Sequence, residues 1–159
     1  MQLANAGYDV LAIDPDAPEG ALFRRAAIEE LDEPGRFDAV VAQLSLHHVA
    51  DLAVALDKIV ALLPSGGRVV IDEFGWERLD GPAAKSVGIE HDEWVAEHEH
   101  LHPSDTMLSE LDERFVRRTF SWEPFLFREG HRVMDEATER ALIVAGQLPA
   151  IGFQYVGER

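Results

Sequence analysis

Two adjacent imidazoles, His47-His48, follow an apolar run at 37–44, and an imidazole is the usual proton acceptor near neutral pH. Such a base serves chemistry in which a hydroxyl or an amine must lose a proton. The other reading has one of the pair capping the next helix or packing against it. Asp14 closes a second apolar run at 8–14, ahead of Pro15. A carboxylate at the carboxyl end of a strand can accept both hydroxyls of a ribose, and it can equally serve as a helix N-cap or turn residue. Glu29 and Glu30 are suited to a ligand and to the positive end of a solvated helix alike. His98, His100 and His102, with Glu97 and Glu99 between them, would share one face on a strand and could converge on zinc there. On a helix they stand about 200° apart and could not. We expect no metal and read this stretch as cover over a pocket. Trp76, Trp94, Trp122, Phe120, Phe125 and Phe127 read as core and sheet-face packing, although one aromatic face would suit a bound cation.

The elements that must position these groups alternate. Residues 2–7 read as the last turn of a helix, with Gly7 just past its end. Apolar strands are expected at 8–14, 23–27, 37–44 and 68–74, the third covered on both faces. A helix between them has apolar residues at 52, 56, 59, 60 and 63 and stops at Pro64-Ser65-Gly66-Gly67. Such alternation predicts right-handed crossovers and a doubly wound sheet. Residues 76–103 are charged and lack a clear strand, so a helical insertion over the strand ends is expected. A short helix from Pro103 to about residue 115, capped by Ser104 or Asp105, leads to a long strand at 116–128. A helix follows at 134–147, with apolar residues at 134, 137, 141, 142 and 145, and a last strand at 151–156.

With these elements in place, the chain resembles the class I S-adenosylmethionine-dependent methyltransferases, in their type-11 small-molecule group. Gly7-Tyr8-Asp9-Val10-x3-Asp14 is similar to the family's second strand and its ribose-binding acid. The stretch from Phe37-Asp38-Ala39-Val40-Val41 through Leu46-His47-His48-Val49 is similar to the fourth strand and the His-bearing turn after it. Leu62-Leu63-Pro64-Ser65-Gly66-Gly67-Arg68-Val69-Val70-Ile71 resembles the Leu-x-Pro-Gly-Gly turn and fifth strand, with Ser65 as an extra residue. The pair at 116–128 and 151–157 resembles the family's closing antiparallel hairpin. The resemblance implies an α/β, Rossmann-like, doubly wound and mostly parallel sheet with that hairpin at its C-terminal side. It implies S-adenosyl-L-methionine as cofactor and a small molecule as methyl acceptor. Carried over residue by residue, it assigns Asp14 and Pro15 to the ribose and Ala27, Ile28 and Glu29 to the adenine. Ala27 stands where the family often has Asp. It assigns Gln43, through its backbone, to the cofactor, and His47 and His48 to proton removal.

The family's first strand and Gly-x-Gly-x-Gly loop belong about 20 residues before the ribose-binding acid, which here falls ahead of Met1. The expectation is therefore an N-terminally truncated single domain over 1–159, with 76–103 as lid or acceptor-binding insertion and activity impaired. Its unpaired strand edges then offer a route to self-association. The alternative is a non-catalytic remnant or a partner subunit; a nicotinamide-dependent enzyme suits Asp14 but not the closing hairpin.

Composition narrows the partners. Thirty acidic residues against 14 Lys and Arg give a formal charge of −16, a field that repels nucleic acid and anionic lipid. Without Cys, disulfides, thiolate metal sites and a thiol nucleophile are excluded. No apolar run approaches the roughly 20 residues of a membrane span, and a cytoplasmic location is expected.

Overall fold

The computed structural model describes residues 2–17, 20–128 and 134–159. A short helix α1, Gln2–Asn5, ends where Gly7 takes a left-handed φ of +91°, the position anticipated for it. Strands β1, Ala12–Ile13, and β2, Phe23–Arg24, pair in parallel as a small sheet of their own. Both are shorter than the apolar runs that mark them. A single 3-10 turn, Ile28–Glu30, follows β2.

The main sheet has the order β3-β4-β6-β5. Strand β3, Ala39–Gln43, lies parallel to β4, Arg68–Phe74. Strand β6, Gly152–Glu158, runs antiparallel to both β4 and β5, Val116–Glu123. Parallel strands first and an antiparallel hairpin last is the Rossmann-like α/β arrangement the sequence predicts. One expectation is corrected: β3 is not covered on both faces. Its residues alternate between exposed and half-buried, and Val41 is 54% exposed. The edge of β3 away from β4 has no partner strand among the described residues.

Helix α2, Leu52–Leu62, starts on the side chain of Asp51, which accepts the Val54 N–H at 3.1 Å. Its Leu52, Leu56 and Ile59 are buried, on the face that the apolar spacing marks. Left-handed Gly66, at φ +80°, turns the chain into β4. Helix α5, Ser104–Arg114, contributes Met107 and Leu111 to the same core, where Val69 and Ile71 of β4 meet Phe153 and Tyr155 of β6. Pro103, not Ser104 or Asp105, occupies the cap of α5. Ser104 turns instead to Glu77, whose carboxylate accepts both its N–H and its hydroxyl.

Helices α3, Gly81–Ser86, and α4, His91–His98, make the stretch after β4 helical, as expected. They form a second core over the carboxyl end of β4, in which Leu79, Ala84 and Trp94 pack with Phe74, Phe125 and Ile151. The strand expected at 116–128 stops at Glu123, and residues 126–128 form a 3-10 turn. The cause is Glu139 of α6, Glu136–Val144: fully buried, its carboxylate accepts the N–H groups of Phe125, Leu126 and Phe127. Helix α6 thus rests on Glu139, with Leu142 and Ile143 half-buried, while Ala137, Ala141 and Ala145 face outward. Among the described residues no helix is long and apolar enough to cross a membrane.

Candidate active site at the carboxyl ends of β3 and β4

β3 ends at Gln43, and Leu44 then adopts a left-handed backbone at φ +49°. This conformation is costly for a non-glycine residue and tends to occur where the surroundings enforce it. Here Leu44 keeps the ladder, its N–H donating to Asp72 O at 2.9 Å, while the chain beyond it bends under β4. The 3-10 turn Leu46–His48 follows.

The turn is held by Glu73, an acid that no motif in the sequence marks. Glu73 is 0% exposed. Its Oε1 accepts the N–H groups of Ser45 at 2.6 Å and Leu46 at 2.7 Å, and its Oε2 lies 2.6 Å from Nδ1 of His47. A charge buried so completely must be paired or hydrogen-bonded, and every contact needed is supplied by three consecutive residues. The available signal was parity. Val69, Ile71 and Glu73 point to one face of β4, and an acid on a face otherwise apolar calls for local donors.

His47 is buried and His48 exposed, their ring centroids 4.1 Å apart. Crowding of the His48 ring by protein, then the neighbouring His47, hold its pKa below the ordinary imidazole value; Glu73 pulls the other way, and His100 adds to the lowering. Both rings line a cavity of about 340 Å³ whose walls include Leu44, Phe74, Leu101 and Phe125. The Phe74 and Phe125 rings stack in parallel with centroids 4.3 Å apart, and the edge of Phe74 meets His47. A larger hollow of about 420 Å³, lined by Asp80, Pro82, Leu148 and Pro149, presents no imidazole. The smaller cavity is therefore the candidate site.

His98 and His102 are turned to main-chain carbonyls. His98 Nδ1 donates to Trp94 O at 2.7 Å and His102 Nε2 to Val49 O at 2.8 Å. Among the described residues no three His, Asp or Glu side chains converge as metal ligands.

The groups expected to hold a cofactor lie at carboxyl ends of strands. Asp14, directly after β1, is exposed, and its Oδ1 accepts the Asp16 N–H at 2.7 Å. It holds a turn through that oxygen, and its other oxygen has no hydrogen-bond partner among the described residues. Pro15 sits exposed in the same turn. After β2, Ala27 N–H donates to Glu30 Oε2 at 2.8 Å, whereas the N–H groups of Ile28 and Glu29 find no acceptor among the described residues. Ile28 is half-buried against the main core that Leu46 shares. Gln43 points its side chain at Asp72, its Nε2 donating to Oδ2 at 3.1 Å, which leaves its backbone for other contacts. An exposed acid, two free amides and an apolar side chain fit a ribose, an adenine edge and a purine face.

A family model described as a methyltransferase domain matches residues 2–138. Solved structures share the fold. An S-adenosylmethionine-dependent methyltransferase from Methanosarcina mazei matches 99% of this chain and 85% of its own, at 16% identity and a TM-score of 0.64. The Burkholderia thailandensis 1,6-didemethyltoxoflavin-N1-methyltransferase, solved with 1,6-didemethyltoxoflavin and S-adenosylhomocysteine, matches 99% of this chain and 64% of its own, at 17% identity and a TM-score of 0.62. The geranyl diphosphate C-methyltransferase of Streptomyces coelicolor, solved with Mg²⁺, geranyl diphosphate and S-adenosyl-L-homocysteine, matches 86% and 54%, at 17% identity and a TM-score of 0.56. The chain thus spans between about half and 85% of the length of these structures. A search of curated proteins found no match.

Proposed function

The chain belongs to the methyltransferase-domain family, and from that premise we propose that it moves a methyl group from S-adenosyl-L-methionine to a small-molecule acceptor. The observation that carries this reading is the junction of a buried acid, an imidazole and an aromatic cavity at the carboxyl ends of β3 and β4, where ligands bind in open α/β sheets. When bound, the cofactor supplies an electrophilic methyl on its sulfonium. The chain's own residues bind, orient and exclude water. Asp14 accepts the ribose hydroxyls beside Pro15, and the amides of Ile28 and Glu29, next to Ala27, meet the adenine. Gln43 contributes its backbone. His47 takes the proton of an acceptor hydroxyl or amine, with His48 beside it. Most of the acceleration comes from holding nucleophile and methyl in contact. Residues 76–103, packed over Phe74 and Phe125, form the acceptor side and lid of a single domain over 1–159. The acidic surface supports a small acceptor over nucleic acid.

A second reading, a partner subunit without activity, draws support from β3, whose outer edge is unpartnered among the described residues and exposes Val41. Open strand edges invite pairing with another chain.

Calorimetric titration with S-adenosylhomocysteine tests both. Asp14→Ala is expected to weaken binding by about 1–3 kcal/mol through unpaired ribose hydroxyls. Equal affinity of the two chains would reduce Asp14 to a turn residue. Binding by neither would favour the partner subunit.

A further inference from the structure

Glu73 makes three contacts with one short turn, and two of them are fixed in kind. A main-chain N–H can only donate, so Oε1 accepts from Ser45 and Leu46. The third contact, 2.6 Å from Oε2 to His47 Nδ1, joins a carboxylate oxygen to a ring nitrogen that exists either with a proton or with a lone pair. Two lone pairs at that distance repel, so one proton lies between the two atoms; with Glu73 as the carboxylate that its two main-chain donors call for, that proton sits on Nδ1. In the neutral ring the remaining lone pair then belongs to Nε2. That nitrogen has no hydrogen-bond partner among the described residues, and it is not a sealed orphan either. His47 lines the cavity beside Phe74.

We propose that Glu73 is a positioning residue: it fixes His47 as the Nδ1–H tautomer and so makes Nε2 the proton-accepting atom at the cavity. The inference deepens the reading of His47 as the base and rests on it for its catalytic consequence, but not for the tautomer itself. The balance of the step follows. An acceptor hydroxyl gives its proton to Nε2 while its oxygen bonds the methyl carbon, and the electron pair of the breaking carbon–sulfur bond stays on sulfur. The positive charge that leaves the sulfonium is carried by His47, against the Glu73 carboxylate. The same acid therefore does two jobs through separate oxygens, holding the turn with one and setting the ring with the other.

Glu73→Gln separates the jobs. The amide oxygen of Gln can still accept the Ser45 and Leu46 N–H groups, but its NH₂ then faces Nδ1 and must donate to it. The ring proton is expected to move to Nε2, which removes the acceptor from the cavity while the turn stays in place. Two-bond ¹H–¹⁵N correlation spectra of His-labelled protein read the tautomer directly. They are recorded near pH 8.5, where a free imidazole is neutral, with His47 assigned by its loss in His47→Gln. The wild type is expected as Nδ1–H and Glu73→Gln as Nε2–H, each with an otherwise conserved amide spectrum. A wild type in the Nε2–H form or in a mixture, or a Glu73→Gln protein that keeps Nδ1–H, overturns the proposal. Should Glu73→Gln fail to fold, the wild-type spectrum alone decides. Methyl transfer separates this from the reading beneath it. If His47 is the base, Glu73→Gln lowers turnover by about 100-fold or more. If His47→Gln transfers methyl at the wild-type rate, the base assignment falls while the tautomer result stands.

Discussion

Glu139→Ala is expected to cost about 4 kcal/mol of unfolding free energy, a large share of the total for a domain of this size. Glu139 is 0% exposed, and its carboxylate accepts the N–H groups of Phe125 at 2.7 Å, Leu126 at 3.0 Å and Phe127 at 2.9 Å. Truncation to Ala strands all three donors, and each buried donor left unpaired costs about 1–3 kcal/mol. Phe125 and Leu126 are 2% and 0% exposed, so their amides bear the full penalty. Phe127 is only half-buried, and water can reach its amide. Losing the acid also removes the expense of burying it, which brings the sum back toward the middle of the range. Urea denaturation of both proteins at unchanged m-value measures the difference. The expected fall in melting temperature is about 8–16 °C. Because Phe125 stacks on Phe74 at the cavity wall, near-ultraviolet circular dichroism should also weaken while far-ultraviolet signal persists. A loss below about 1 kcal/mol would show that water or a shifted backbone satisfies the three amides, and the clamp would then be ornamental.

Burial, then the negative charge of Asp112 and the hydrogen bond to it at 3.2 Å, push the Tyr155 hydroxyl up to about 12. The ordinary phenol ionises near 10, so the raised folded value favours folding below pH 10 and that contribution fades as pH climbs through 12. Spectrophotometric titration with parallel unfolding measurements should show stability lost in that window, and Tyr155→Phe should flatten the loss. If 76–103 acts as a lid, amides of α3 and α4 exchange faster than those of β4 and β6 in the native protein; equal protection would count against a moving cover.

The order of elements was legible because most signals were local. Asp51 precedes the apolar face of α2, Gly66 falls where the backbone turns left-handed, and β4 carries the apolar stretch Val69-Val70-Ile71. Strand lengths were less so. The run at 8–14 pairs only from Ala12, and the strand expected to reach Arg128 stops at Glu123, because neighbours, not propensity, supply the ladder. In the candidate site, His47 and His48 were visible by residue type, whereas Glu73 and Glu139 were not. Both are acids in the interior, satisfied by main-chain amides; parity along β4 marks the face of Glu73, but residue type alone assigns both acids to the surface. The buried face of α6 departs from its apolar spacing for the same reason. Its buried side is marked by a glutamate, and the alanines that made the apolar stripe face solvent.

The place of β6 has a consequence for synthesis. It follows every other described element along the chain, yet it lies in the middle of the sheet, and β4 and β5 each pair with it and not with one another. On a ribosome, β5 emerges as a strand with no neighbour to join, and α3, α4 and α5 are made while the place beside β4 is still open. Non-local pairing of this kind is slow, because the intervening chain must be closed before any contact repays the entropy. Until the seven residues of β6 arrive, two bare edges are presented at once, the state most open to misassembly and to chaperones. Closure is then abrupt: one strand completes two ladders, and Arg159 exchanges main-chain hydrogen bonds with Gly66 and Gly67, in the turn that leads into β4.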